Sequence, residues 1–527
     1  MGGIGTGIKF TGNLIMKLLT QIAMVVVGVP TLAVLGSMVL SGCAVNGRPM
    51  RCDPASNKKS LSWYIEGKAK NNKTISCSFV EFDERGDFID FQQHQDCENR
   101  IKKLVASGPV LLVMYCHGWK NNSQSEDVLK FNSFLAKIAA SPEVVESGYR
   151  VHGVYLSWRG NVVQPFIDKS DEFYRACTNY FGEPIVDEKY DRKANWTGFI
   201  PENVDFFTRQ RAAEHLVSGL PIARAIFTYA SAAKDYGSKL TNQVIVMGHS
   251  MGALMLERSL GQAMTGSLVM EWWQGLKNNG SQQAPVLPFD FILFMNSAAP
   301  SIYAKEMRDF LEANRAALHY SGTNDYPVIV SLTSTADSAT GVAYPLAHCL
   351  CPLKLSLQRK YTTGIFGTNG QDHAGIRQWK FYLRTPGHQP YLVNHWIIPE
   401  TGMAPLRELS SDQVFATNIS RKTVHDPYVF YTATAGKKPA ATWRITNKSP
   451  GTPVTLDGLP LAMQSSDYWI INCGKALIAS HDDVWSTADM EMYAGLYRLA
   501  AYLKKHPQNS VSNLPPAKNN LAGSQSP

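Results

Sequence analysis

A serine stands between two glycines in the pentapeptide Gly248-His249-Ser250-Met251-Gly252. A serine hydroxyl becomes an effective nucleophile only when a base removes its proton and nearby donors stabilise the oxyanion that forms. Flanking glycines allow the sharp strand-to-helix turn that lifts such a serine out of a sheet. Composition alone produces this pattern in roughly one chain in five of this length. The surrounding sequence therefore decides what the pentapeptide means.

The residues on either side of the pentapeptide predict the required turn. The apolar run QVIVMG (243–248) is typical of a buried strand, and a segment with helical spacing begins at Met251. The Met251 N–H would then lie at a helix N-terminus, where the helix dipole favours an oxyanion. We interpret Ser250 as a nucleophile and Met251 as one of its oxyanion donors.

Other elements must position this serine. The runs PVLLVMYCHG (109–118) and VHGVYLSWRG (151–160) read as strands buried on both faces. Further strands are predicted at 289–298, 327–335 and 475–480, and helices lie between several of them. Such alternation indicates a mostly parallel sheet with helices on both faces. The segment 78–91 is predicted to be a hairpin, which would add antiparallel edge strands.

Taken in order, these features resemble the α/β-hydrolase superfamily of serine esterases and lipases. The resemblance covers roughly residues 78–505, apart from an irregular stretch, and it implies an α/β-hydrolase fold. It also implies that the Trp119 N–H is the second oxyanion donor, while Gly118 permits close approach and Gly248 and Gly252 form the turn. His117 is interpreted as a structural residue of its loop.

In that family an acid and then a histidine follow the serine along the chain. The strand 327–335 leads to Asp337, which the resemblance implies as the acid, although a turn or helix-capping role is the alternative. The strand 475–480 leads to His481, which precedes a long C-terminal helix and is implied as the base. Asp482 and Asp483 are interpreted as loop or capping residues, either of which could replace Asp337 as the acid.

Two insertions are predicted within the domain, at about 161–205 and at 340–470. The second is far longer than an ordinary connection and rich in aromatic residues. It could form a cap or acyl pocket over the site, or it could be a structural insertion with its own core. Residues 506–527 are predicted to be a disordered tail.

The N-terminus predicts export. Residues 18–40 are apolar and follow Lys17. The tetrapeptide Leu-Ser-Gly-Cys begins at the last of these residues and ends at Cys43. This pattern is typical of a secretory signal and resembles the lipobox of bacterial lipoproteins. The resemblance implies a signal peptide over 1–42, acylation of Cys43, and a location in the bacterial cell envelope facing the periplasm or exterior. An uncleaved transmembrane anchor is the alternative, and residues 43–75 are predicted to be a tether.

Charge and cysteine content narrow the remaining classes. The chain has 51 basic and 43 acidic residues, and much of the excess of basic residues lies at its two ends. The sequence has no basic stripe, so we do not expect a nucleic-acid partner. The cluster His348-Cys349-Leu350-Cys351 lacks a second ligand pair at zinc-like spacing. We expect disulfides or buried thiols, and neither a metal nor a cofactor.

The sequence therefore predicts a membrane-tethered, extracytoplasmic serine hydrolase that cleaves an acyl ester, of a lipid or of another compound, with Ser250, Asp337 and His481 as its triad. A non-catalytic α/β-hydrolase-like lipoprotein with a binding or scaffolding role is the alternative. The oligomeric state stays open.

Overall fold

The computed structural model describes residues 50–51, 61–69, 73–83, 86–160, 209–210, 212–214, 221–234, 242–265, 288–313, 328–350, 376–399, 417–421, 428–432, 441–446, 455–456, 459–460 and 468–505. The predictions for the signal peptide with Cys43, for the insertion at 161–205 and for the tail lie outside the described residues. No helix in the described part of the chain is both long and apolar enough to cross a membrane.

The described strands are β1 (Tyr64–Lys68), β2 (Thr74–Glu81), β3 (Val110–Cys116), β4 (Arg150–Ser157), β5 (Gln243–His249), β6 (Phe291–Met295), β7 (Ile329–Ser334), β8 (His395–Pro399), β9 (Thr417–Arg421), β10 (Tyr428–Thr432), β11 (Ala441–Thr446), β12 (Thr455–Leu456), β13 (Leu459–Pro460) and β14 (Tyr468–Cys473). The described helices are α1 (Phe91–Ala106), α2 (Glu126–Ala140), α3 (Pro142–Glu146), α4 (Pro221–Lys234), α5 (Met251–Thr265), α6 (Ser301–Ala313), α7 (Tyr344–Leu350), α8 (Trp379–Tyr382) and α9 (Thr487–Lys505). A π-helical turn covers Ala339–Ala343, and a 3-10 turn covers Pro386–His388.

Twelve of the described strands form one sheet in the order β1-β2-β4-β3-β5-β6-β7-β14-β8-β11-β10-β9. Every pairing from β2 across to β8 is parallel. The strands β1, β11, β10 and β9 are antiparallel to their neighbours. The expected mostly parallel sheet is thus confirmed.

The sheet separates two apolar cores, because successive side chains of a strand point to opposite faces. In β3, Leu112 and Met114 join one core while Leu111 and Val113 join the other. Helices α1, α4, α5 and α6 cover the first face, and α2 and α9 cover the second. The protein therefore has an α/β fold with helices on both faces of the sheet.

The predicted tether over 43–75 is too long, because parts of the folded domain lie within that range. β1 lies within that range, and the side chain of Arg51 is only 2% exposed. The Arg51 guanidinium lies 3.4 Å from the centre of the Phe79 ring, and its Nε donates to the Ser123 carbonyl at 2.7 Å. The Met50 and Arg51 N–H groups donate to the Glu81 carboxylate. Met50 and Arg51 are therefore fixed to the domain.

Two other local predictions need correction. The hairpin predicted over 78–91 is limited to one antiparallel bridge between Phe82 and Phe88, and it adds no edge strand, since β2 ends at Glu81 and Asp90 caps α1 by accepting a hydrogen bond from the Gln92 N–H at 2.8 Å. The antiparallel edge is formed by β1 with β2 instead. The strand predicted at 475–480 is a loop, and the last strand of the sheet is β14.

The long segment 340–470 contributes directly to the sheet. β8 pairs in parallel with β14, and β11, β10 and β9 continue outward from β8. The described portions of this segment are thus in part a structural extension of the central sheet.

Candidate active site

Ser250 occupies the sharp turn between β5 and α5. Its backbone has a φ of 54°, in the left-handed region that non-glycine residues rarely adopt. Its N–H donates to the Met295 carbonyl at 3.0 Å, and its carbonyl accepts from the Ala298 N–H at 3.1 Å. These bonds hold the strained residue against the end of β6, which is how such strain persists at a functional site.

The glycines of the pentapeptide and of the neighbouring loop allow close approach. A Cβ on Gly252 would overlap the carbonyl oxygens of Cys116 and His117 at the end of β3. A Cβ on Gly118 would lie 3.0 Å from the Ser250 Cβ. The loop after β3 therefore lies directly against the serine. Gly248, the second-last residue of β5, pairs with Cys116, the last residue of β3.

The structure brings Ser250, His481 and Asp337 together. His481 Nε2 lies 2.7 Å from Ser250 Oγ, and His481 Nδ1 lies 2.9 Å from Asp337 Oδ2. The three residues follow β5, β14 and β7, whose carboxyl ends share one edge of the sheet. In this arrangement the imidazole can accept the serine proton while the carboxylate fixes the other ring nitrogen.

Asp337 also serves its own turn, so the capping alternative holds alongside the triad contact. Its Oδ1 accepts from the Ala339 and Thr340 N–H groups at 3.0 and 3.1 Å, and its Oδ2 accepts from the Thr340 hydroxyl as well as from His481. Burial raises the pKa of Asp337, but the bonds from His481 and Thr340 outweigh it and leave that pKa below its ordinary value. The carboxylate is therefore ionised at neutral pH.

The pKa of His481 is shifted in the opposite direction to that of Asp337. Burial lowers its pKa, whereas the hydrogen bond and charge of Asp337 and the charge of Asp482 raise it, and the net pKa lies above the ordinary value of 6.5. The pair is thus poised to stabilise an imidazolium when the ring takes up a proton.

The two predicted oxyanion donors lie beside the serine. Met251 is the first residue of α5, and Trp119 follows Gly118 in the loop against Ser250. That loop is fixed by Lys120, whose N–H donates to the Gly160 carbonyl at 3.2 Å.

His117 has a structural role, as expected. Its Nδ1 donates to the Gly118 carbonyl at 2.9 Å, and its Nε2 accepts from the Trp158 N–H at 3.1 Å. Burial lowers the pKa of His117 to about 4, so the ring is neutral and anchors the loop.

Sequence reasoning missed Asn296, which directly follows β6 and bonds to the loop that carries His481. An asparagine at the end of a buried strand was the available signal. His249 also bonds to this loop, since its Nε2 lies 2.9 Å from the His481 carbonyl oxygen.

Metal-ligating groups of the described chain come together in one place, at His249, His481 and Asp482, with ligand atoms within 4.8 Å of one another. Both imidazoles already make the hydrogen bonds described above, which account for the grouping without an ion. The cysteines were expected to form disulfides or to be buried thiols. Four of them are buried thiols, namely Cys77, Cys97, Cys116 and Cys473.

Comparison with known proteins adds little to this geometry. No protein-family model and no curated protein matches the chain. A crystal structure of an uncharacterized protein from Pseudomonas aeruginosa is similar at 11% identity, with a TM-score of 0.18. That match covers 49% of this chain and 41% of the other, and it carries no argument about fold or function.

Proposed function

We propose that the protein is a serine hydrolase of the α/β-hydrolase type that cleaves carboxylic esters through an acyl-enzyme. The observation that carries this proposal is the hydrogen-bonded chain from Asp337 through His481 to Ser250. The order of these residues along the sequence, and the strands that they follow, fit the α/β-hydrolase superfamily.

In the proposed reaction, Ser250 Oγ attacks the ester carbonyl carbon while its proton passes to His481 Nε2. The N–H groups of Met251 and Trp119 receive the oxyanion of the tetrahedral intermediate. His481 then protonates the departing alkoxide, which leaves an acyl group on Ser250. Water attacks this acyl-enzyme with His481 again as the base, and the carboxylic acid departs.

The substrate and location follow from the N-terminal sequence rather than from the site. A lipid or another acyl ester would suit a protein anchored to the cell envelope through an acylated Cys43. Mass spectrometry of the mature N-terminus tests this part separately. An intact peptide spanning residues 40–44 would contradict lipidation at Cys43.

The chemistry is tested with p-nitrophenyl butyrate and purified soluble domain. Ser250→Ala should abolish turnover, whereas Ser259→Ala should retain it. Ser259 is a suitable control because it is a buried serine farther along α5 whose hydroxyl makes no hydrogen bond within the described residues. Equal hydrolysis by the wild type and by Ser250→Ala would reject the hydrolase proposal in favour of the non-catalytic binding or scaffolding role.

A further inference from the structure

The main-chain carbonyl of His481 accepts hydrogen bonds from two side chains outside the triad. His249 Nε2 donates to this oxygen at 2.9 Å, and Asn296 Nδ2 donates to it at 3.0 Å. Asn296 Nδ2 also lies 3.3 Å from the Ser480 carbonyl. The backbone of the histidine is therefore held from one side while its ring is held by Ser250 and Asp337 from the other.

Asn296 links this carbonyl to the strand that carries the acid. The residue is fully buried, and it follows β6, the strand that lies between β5 and β7 in the sheet. Its Oδ1 accepts from the Ser334 N–H at 3.0 Å, three residues before Asp337. One amide side chain thus joins the end of β7 to the loop of His481.

The backbone of Asn296 favours this residue type. Its φ is 45°, a left-handed conformation that asparagine tolerates better than most side chains. Its N–H donates to the Leu332 carbonyl at 2.9 Å, and the flanking residues Met295 and Ala298 bond to the backbone of Ser250. The turn after β6 is therefore tied to the nucleophile as well as to the acid.

His249 makes the corresponding link from the nucleophile. It directly precedes Ser250, and its ring centre lies 5.2 Å from that of His481. Burial and the nearby charge of His481 lower the pKa of His249, so the ring stays neutral when His481 takes up a proton. A neutral ring that donates from Nε2 has its proton on that atom.

The loop of His481 needs such restraint. Residues 474–486 between β14 and α9 contain turns but no helix or strand. The distance between His481 Nε2 and Ser250 Oγ must stay within a few tenths of an ångström for proton transfer, and an irregular loop holds such a distance only through supporting hydrogen bonds.

We propose that Asn296 and His249 are positioning residues for the reaction, which set His481 on Ser250 and Asp337 by fixing its main-chain carbonyl. This inference rests on the proposed hydrolase function. It assigns no contact with substrate to either side chain.

Two variants of Asn296 and two of His249 distinguish the effect of losing a hydrogen bond from the effect of changing the shape of the side chain. Asn296→Asp keeps the shape and the acceptor for the Ser334 N–H, and in its ionised form it has no donor for His481. His249→Phe keeps a ring without a donor, whereas His249→Gln keeps a donor near the Nε2 position. Asn296→Gly tolerates the left-handed backbone and serves as a second variant if Asn296→Asp does not fold.

With p-nitrophenyl butyrate, Asn296→Asp, Asn296→Gly and His249→Phe should lower kcat by about 10- to 100-fold, because a small displacement of a catalytic group costs that much. KM should stay near its wild-type value, since no substrate contact is lost. His249→Gln should retain most of the activity. The far-downfield proton resonance of His481 Nδ1 should weaken in the impaired variants, while thermal unfolding shows that they are folded.

The proposal is overturned if folded Asn296→Gly or folded His249→Phe has the wild-type kcat. It is also overturned if His249→Gln loses as much activity as His249→Phe. The downfield resonance needs no substrate. If the wild type shows no hydrolysis that depends on Ser250, the proposed function fails, while the resonance still shows whether Asn296 and His249 hold the histidine in place.

Discussion

Replacing Asp337 by asparagine isolates the role of one carboxylate oxygen. Asp337 Oδ1 accepts two backbone N–H groups of its own turn, and an asparagine carbonyl can accept both of them. The amide nitrogen would then occupy the place of Oδ2, facing His481 Nδ1. Because that nitrogen donates, the His481 ring would carry its proton on Nε2, toward Ser250, and could no longer accept the serine proton.

The expected loss follows from this change of tautomer. In triads where the geometry is kept but the tautomer is wrong, kcat falls by about 10⁴, which corresponds to about 5.5 kcal/mol in the barrier. The turn keeps its backbone hydrogen bonds, so thermal unfolding should change little. Hydrolysis of p-nitrophenyl butyrate by Asp337→Asn measures the effect.

Asp482→Asn is the matched control, because it removes the exposed carboxylate next to His481. Its rate should stay within about threefold of the wild type, since water screens an exposed charge. The reasoning is refuted if Asp337→Asn keeps more than about a tenth of the wild-type kcat/KM, or if Asp482→Asn loses as much as Asp337→Asn.

Three further outcomes are expected. His481 must be neutral to act as a base, and its net pKa lies above 6.5, so kcat/KM should rise with pH through a midpoint above 6.5. A lower midpoint in the pH–rate profile would contradict the pairing with Asp337. Gly252→Ala places a Cβ against the carbonyl oxygens of Cys116 and His117, so the free energy of unfolding should fall by about 1–3 kcal/mol in chemical denaturation. An unchanged free energy of unfolding would mean that α5 can move aside. Burial of Glu257 raises its pKa from 4.5 to about 7, so the folded state binds the proton more tightly than the unfolded one. Glu257 should therefore contribute a fall of about 3 kcal/mol in the free energy of unfolding as pH rises from 4.5 through 7. Glu257→Gln should remove this contribution, so that denaturant titrations at several pH values show a smaller fall than in the wild type.

The meeting of Ser250, Asp337 and His481 could be predicted from the sequence, whereas several of the surrounding elements could not. Ser250 and Asp337 each lie within three residues of a short run rich in apolar residues, QVIVMG (243–248) and IVSLTS (329–334), and buried parallel strands produce such runs locally. The carboxyl ends of those strands share an edge, so the residues after them were expected to meet. His481 was identified in the same way, although the strand assigned to it was misplaced.

That error has a physical cause. YWIINC (468–473) and KALIAS (475–480) are both apolar, with Gly474 between them. Only the pairing of β14 with β7 and β8 decides which run joins the sheet, and pairing between distant segments leaves no local pattern. The strands β9–β11 were missed for the same reason. α1 was missed because its apolar residues are sparse, and Asp90, its capping residue, was the only local sign.

The role of Asn296 depends on three elements meeting at one point. Its side chain bonds to residues 38 and 185 positions away. Neither partner could be identified from the residues around position 296. Such links appear only when the ends of β6 and β7 and the loop of His481 are placed together.

The position of Met50 in the folded domain limits how far the domain could lie from the proposed membrane anchor at Cys43. Met50 is bonded to Glu81 of the sheet, and six residues lie between it and Cys43. Fully extended, the seven Cα–Cα steps from Cys43 to Met50 span about 25 Å, less than the hydrocarbon thickness of one bilayer. An acyl chain on Cys43 would hold the protein against its own membrane, so its encounters with ester substrates would occur in two dimensions. Turnover would then depend on the surface density of substrate, and diluting that substrate with inert lipid would slow the anchored protein at constant bulk concentration.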